Sequence, residues 1–191
     1  VQRGHPLIAP ALGEAEVFSD PEQTFITGGP DDGDERTGGH GTGVASVAIY
    51  GDVIHCVKNR SFEPSAWIFS ARVTDKNNNY DPDILLENQL GQAIRYFIES
   101  YSNCKVINIS LGDSRLVLED GQKQFRLAAR IDEIAYEFQH KEIVFVISAG
   151  NFYYSPTDSN APLLTDYPNY LLKNEARIIE PATAAIALTV G

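Results

Sequence analysis

The sequence predicts an α/β fold, a mostly parallel sheet in three layers with helices on both faces, held in a single domain over residues 1–191. Three observations predict it. Segments with helical spacing alternate with short apolar runs, in the order helix, strand, helix, strand, helix, strand, long connection, strand. Two of the apolar runs, NISLG (108–112) and ISAGN (147–151), pass directly into glycine and a polar group. Strands of parallel sheets end that way where their carboxyl ends carry a site. Finally, 191 residues that are 43% hydrophobic and 21% charged suffice for one domain with a real core, and no internal repeat or linker interrupts them.

The elements follow in order. Residues 1–38 have little periodicity: GHPLIAPAL (4–12) leads to an acidic, glycine-rich stretch, FITGGPDDGDERTGG (25–39), which is loop by composition. TGVASVAIYG (42–51) reads as a helix stopped by Gly51, and its small residues Gly43, Ala45, Ser46 and Ala48 predict close packing in a crowded interior. AWIFSARV (66–73) is a strand, and DKNNNYDP (75–82) has turn chemistry. Residues 83–101 are helical, with Leu90, Ala93, Ile94, Phe97, Ile98 and Tyr101 on one face. KVINISLG (105–112) is the next strand. The following helix carries Leu127, Ala128, Ile131, Ile134, Ala135 and Phe138 inward. EIVFVISAG (142–150) is nearly continuous apolar sequence, as a strand buried on both faces would be. An irregular section over 151–180 precedes a last strand, AAIALTVG (184–191).

Charge narrows the function. A net charge of −11 and a pI near 4.7 argue against a nucleic-acid binder, which needs a basic face, and disfavour anionic membranes, so neither is an expected partner. No apolar run reaches the roughly 18 residues of a membrane span. Residues 1–12 lack the pattern of a signal peptide. Cys56 and Cys104 form no CxxC pair, and free thiols with no export signal slightly favour a cytoplasmic setting, with a secreted one as the alternative. The chain begins at Val1 and has no methionine, so we expect a piece of a longer protein.

His40 stands between glycines where loop gives way to helix. The ordinary role for such a histidine is structural or simply exposed. Here the glycines let other backbone or a substrate come close, and the helix N-terminus favours the neutral ring that a general base needs. A phosphate-binding turn is the competing reading, but Gly39, Gly41 and Gly43 give GxGxG after acidic loop rather than GxGxxG after a strand, and no Walker lysine is present. Asn151 is either a turn residue or a carboxamide donor to a developing oxyanion. Ser110, Leu111 and Gly112 are either a plain strand end or an edge that pairs with an extended peptide.

HGTGVASVAIYG (40–51) resembles the histidine motif of the subtilisin-like serine peptidases, the subtilases. VINISLG (106–112) resembles the strand lining their substrate cleft, VFVISAGN (144–151) their oxyanion motif, and PATAAIALTVG (181–191) the strand that leads toward their nucleophile. Order and spacing agree over nearly the whole chain. The resemblance implies a subtilisin-like fold and a serine endopeptidase acting on peptides or proteins. It implies that His40 is the general base of a Ser-His-Asp triad and Asn151 the side-chain oxyanion donor. Ser110, Leu111 and Gly112 would offer backbone to substrate, with Leu111 walling a side-chain pocket and Ala149 and Gly150 on its other side. Tyr80 and Ile84 would reach a more distant subsite, and calcium would be a possible cofactor.

In the subtilases the triad runs Asp, His, Ser along the chain. GHPLI (4–8) resembles the segment shortly after the aspartate motif, which places that residue just ahead of Val1; the nucleophile motif is expected beyond Gly191. Asp20, Asp31, Asp32 and Asp34 lie in loop sequence and are expected to be solvated, with a weak cation site as the alternative. Cys56 and Cys104 have no nucleophile motif around them and are expected to be inert. Residues 1–191 alone are therefore expected to be inactive and to expose apolar surface. The rival expectation is a subtilase-like module that keeps the cleft and binds peptides or a partner without catalysis.

Overall fold

The computed structural model describes residues 1–2, 4–17, 39–74, 80, 83–151 and 168–191. The acidic loop, with Asp20, Asp31, Asp32 and Asp34, and nearly all of the turn at 75–82 lie outside the described residues. The chain divides into two compact units, Val1–Tyr101 and Ser102–Gly191. Each combines helices with parallel strands, which makes this an α/β protein as the alternation predicts.

In the first unit, strand β1 (Leu12–Val17) pairs in parallel with β2 (Ile68–Arg72). The register slips between Leu12 and Glu14, around Gly13. A Cβ on Gly13 would lie 2.8 Å from the Phe69 ring, so a larger residue there would require that ring to shift. Sequence reading missed β1, because LGEAEV has no clean alternation; β2 supplies its pairing. Helix α1 (His40–Tyr50) turns Thr42, Ala45 and Ile49 inward. Ala45 and Ile49 join Ile8 and Ala11 in one cluster, edged by Val1, Leu12, Tyr50 and Ile68. Full burial of Ile8 and of Ile49 stabilises the unit by about 1.5–3 kcal/mol each. Two polar ties fix the N-terminal segment to α1: Gln2 N–H donates to Thr42 Oγ1 at 2.8 Å, and the Tyr50 hydroxyl donates to the Leu7 carbonyl at 2.7 Å.

Among the described residues, the crowded interior inferred from the small residues of α1 lies on one side of the helix. Ala45 is buried, but Ala48 is exposed and a Cβ on Gly43 would meet open space. A second short helix, α2 (Val53–Asn59), begins where the Asp52 carboxylate accepts from the His55 N–H at 2.9 Å. Helix α3 (Leu86–Ser100) buries the predicted face, Leu90, Ala93, Ile94, Phe97 and Ile98. Tyr101 falls just beyond it and stacks on Phe69 with ring centroids 4.5 Å apart.

The second unit holds a parallel ladder in the order β3 (Val106–Ile109), β5 (Val144–Ser148), β7 (Leu188–Val190). Strand β4 (Asp113–Val117) pairs antiparallel with β6 (Ile179–Glu180). The predicted burial of β5 on both faces is corrected: Phe145 and Ile147 are buried, whereas Val144 is 49% exposed. Val106, Leu188 and Val190 are also exposed, so one face of this ladder is apolar and open. Helix α4 (Arg126–Glu137) buries Leu127, Ala128, Ile131, Ile134 and Ala135, and Phe138 follows them inward.

The start of α4 has no capping side chain of its own. Glu180 supplies one from a distant strand. It is 3% exposed, and its Oε1 accepts from the Ala128 N–H at 2.8 Å. A carboxylate at the positive end of a helix is favourably placed. Further along α4, Asp132 accepts from the N–H groups of Ala185 and Ile186, both at 2.9 Å. Those two amides cannot join the ladder, which is why the last strand is three residues rather than the eight of AAIALTVG. Glu180→Ala is expected to destabilise the protein by about 1–3 kcal/mol in urea unfolding, because it leaves the Ala128 N–H buried without an acceptor. Glu180→Gln keeps an acceptor oxygen and is expected to cost less; equal losses would show that the cap is not what matters.

Candidate active site

Strands β3 and β5 run in the same direction with Ile109 opposite Ile147. Their carboxyl ends therefore open at the same end of the ladder, and the two motif segments, 110–112 and 149–151, leave from there. Ser110 is half-buried, and its Oγ accepts from Asn108 Nδ2 at 2.9 Å. Leu111 is half-buried and Gly112 is exposed. Ala149 spends both backbone groups on its neighbours: its N–H donates to the Val190 carbonyl at 2.8 Å, and its carbonyl accepts from the Ile179 N–H at 3.3 Å. Gly150 has φ +114, a conformation that side chains strain, and its N–H approaches Ser148 Oγ at 3.4 Å. Asn151 follows, exposed to solvent.

The segments meet at a residue that sequence reading missed. A Cβ on Gly112 would stand 2.8 Å from Ile179 Cδ1 and 2.9 Å from the Glu180 carbonyl. A Cβ on Gly150 would stand 2.9 Å from Ile179 Cγ1. Ile179 thus contacts both glycines. Nothing local in the sequence announces this, because the contact joins positions far apart in the chain.

Beside Gly112, Asp113 receives Arg115 at both carboxylate oxygens, 2.8 and 2.7 Å away. That side-chain hydrogen bonding holds the Asp113 carboxyl below the usual carboxylate range, against the opposing effect of partial burial.

Of the remaining candidates, His40, Tyr80, Ile84 and Cys56 belong to the first unit and Cys104 to the second. His40 is the first residue of α1 and is exposed. Gly39 before it is left-handed, φ 76 and ψ 40, and its carbonyl accepts from the Gly43 N–H at 2.7 Å. Glycine accepts that conformation freely, so the chain turns into the helix at the histidine. Tyr80 and Ile84 are both half-buried. Cys56 and Cys104 are free thiols, and burial pushes the Cys104 thiol up, with Lys105 pulling the other way. A thiol held protonated is a poor nucleophile.

Among the described residues, no group of three or more His, Cys, Asp or Glu side chains is placed to hold a metal ion. Among the described residues, no helix is long and apolar enough to cross a membrane.

An uncharacterized protein, y4bN, of Sinorhizobium fredii (strain NBRC 101917 / NGR234) is 37% identical over 106 residues, which cover 56% of this chain and 23% of that protein. The structure of the prenylagaramide maturation protease PagA aligns with the whole chain at 17% identity and a TM-score of 0.49, covering 50% of the protease. The chain thus spans half or less of the length of these relatives. The profile of the Subtilase family, peptidase S8, matches residues 1–191 throughout, and this chain belongs to that family of subtilisin-like serine peptidases.

Proposed function

We propose that residues 1–191 are part of one catalytic domain, that of a serine endopeptidase which cleaves peptide bonds through an acyl-enzyme. His40 is the general base and Asn151 the side-chain donor to the oxyanion. A serine hydroxyl attacks the scissile carbonyl while His40 takes its proton. The carbonyl oxygen becomes an oxyanion, and the Asn151 amide donates to it. His40 then returns the proton to the leaving amine, and water hydrolyses the acyl-enzyme by the same route. The substrate is a peptide or protein lying extended along Ser110, Leu111 and Gly112, with its side chain between Leu111 and the Ala149–Gly150 turn. Tyr80 contributes to a more distant subsite.

The observation that carries this reading is the emergence of 110–112 and 149–151 from the same end of one parallel ladder, in a chain whose whole length matches the subtilase family. No serine within residues 1–191 stands in a nucleophile-like motif, and we place the triad serine and aspartate outside this stretch. A fluorophosphonate probe tests the proposal. The full-length protein is expected to be labelled at a serine outside residues 1–191 and to lose peptide turnover, while residues 1–191 alone are expected to take no label. Full-length protein that resists labelling and cleaves no peptide would favour the non-catalytic peptide-binding module.

A further inference from the structure

We propose that Ile179 closes the space between Gly112 and Gly150 to large side chains, so that the substrate residue presented there is glycine, alanine or serine. This rests on the peptidase reading above and narrows its substrate class. Ile179 lies so close to both glycines that a single added Cβ on either would approach its side chain to 2.8 or 2.9 Å. A substrate side chain entering between the two segments therefore meets a volume already occupied.

Nor can Ile179 easily withdraw. Its N–H is bonded to the Ala149 carbonyl at 3.3 Å, and it is paired with Val117 in the β4–β6 ladder. The next residue, Glu180, is tied to the start of α4 through the Ala128 N–H. The Ile179 side chain is β-branched, which restricts rotation about χ1. A stiff group on a main chain anchored at three points excludes a bulky substrate side chain by clash rather than by lack of affinity.

The test uses the full-length protein and a series of otherwise identical peptides with glycine, alanine, leucine or phenylalanine at the position before the cleaved bond. We expect kcat/KM to fall by at least about 100-fold from alanine to phenylalanine, on the scale by which a pocket discriminates between side chains of different size. Ile179→Gly is expected to recover most of that loss for phenylalanine, and Ile179→Val, the gentler change, part of it. Cleavage of phenylalanine peptides as fast as alanine peptides by the wild type would overturn the proposal, as would an unchanged profile in both variants. If no peptide is cleaved at all, it is the peptidase reading that fails. Binding of the same labelled peptides, read by fluorescence anisotropy, then decides the plug: alanine over phenylalanine supports it and equal affinity sinks it.

Discussion

Full-length protein carrying His40→Ala is expected to lose peptide-bond hydrolysis by on the order of a million-fold in kcat, the scale established for subtilisins themselves rather than derived from this chain. His40 is exposed at the first turn of α1, so truncating it opens no cavity and removes no core contact. Stability should stay within about 0.5 kcal/mol of wild type, as for most surface changes. With no base to take its proton, the serine hydroxyl remains a weak nucleophile at neutral pH. A variant that folds normally and keeps activity within tenfold of wild type would remove His40 from the mechanism.

Asn151→Ala is expected to lower kcat by about 10²–10³-fold, again the scale known from a subtilisin's own oxyanion donor. The effect belongs in kcat, because the oxyanion exists only after the nucleophile has attacked. An interaction made in the transition state alone changes kcat and kcat/KM together and leaves KM near its starting value. Asn151 is exposed just after Gly150, so its truncation also leaves the core untouched. If instead KM rises while kcat holds, Asn151 is a substrate contact or a turn residue.

Much of this organisation was written in local patterns. The helical spacing of 83–101 and of 127–138 anticipated the buried faces of α3 and α4, since amphipathic periodicity is a property of the segment itself. Strands β2, β3, β5 and β7 all fall inside predicted runs, though each is shorter than its run. What escaped was set by partners. Strand β1 exists through β2; β4 and β6 exist through one another, with Ile179 and Glu180 inside a stretch that reads as irregular. Helix α2 did leave a signal, the capping residue Asp52, ahead of a segment of only seven residues. The candidate site divides along the same line. Motifs marked His40, Ser110–Gly112 and Ala149–Asn151, but Ile179 is recognisable only once Gly112 and Gly150 are seen against it.

The order β3–β5–β7 makes neighbours of segments that lie far apart along the polypeptide, Val106 beside Val144 and Val146 beside Leu188. Strand β5 holds both flanking strands, so no boundary drawn between 106 and 190 leaves the ladder whole. Anyone dividing this protein into portions for separate expression must carry that stretch as an indivisible unit, and each half of a split version would present an unzipped strand edge ready to pair with the wrong neighbour.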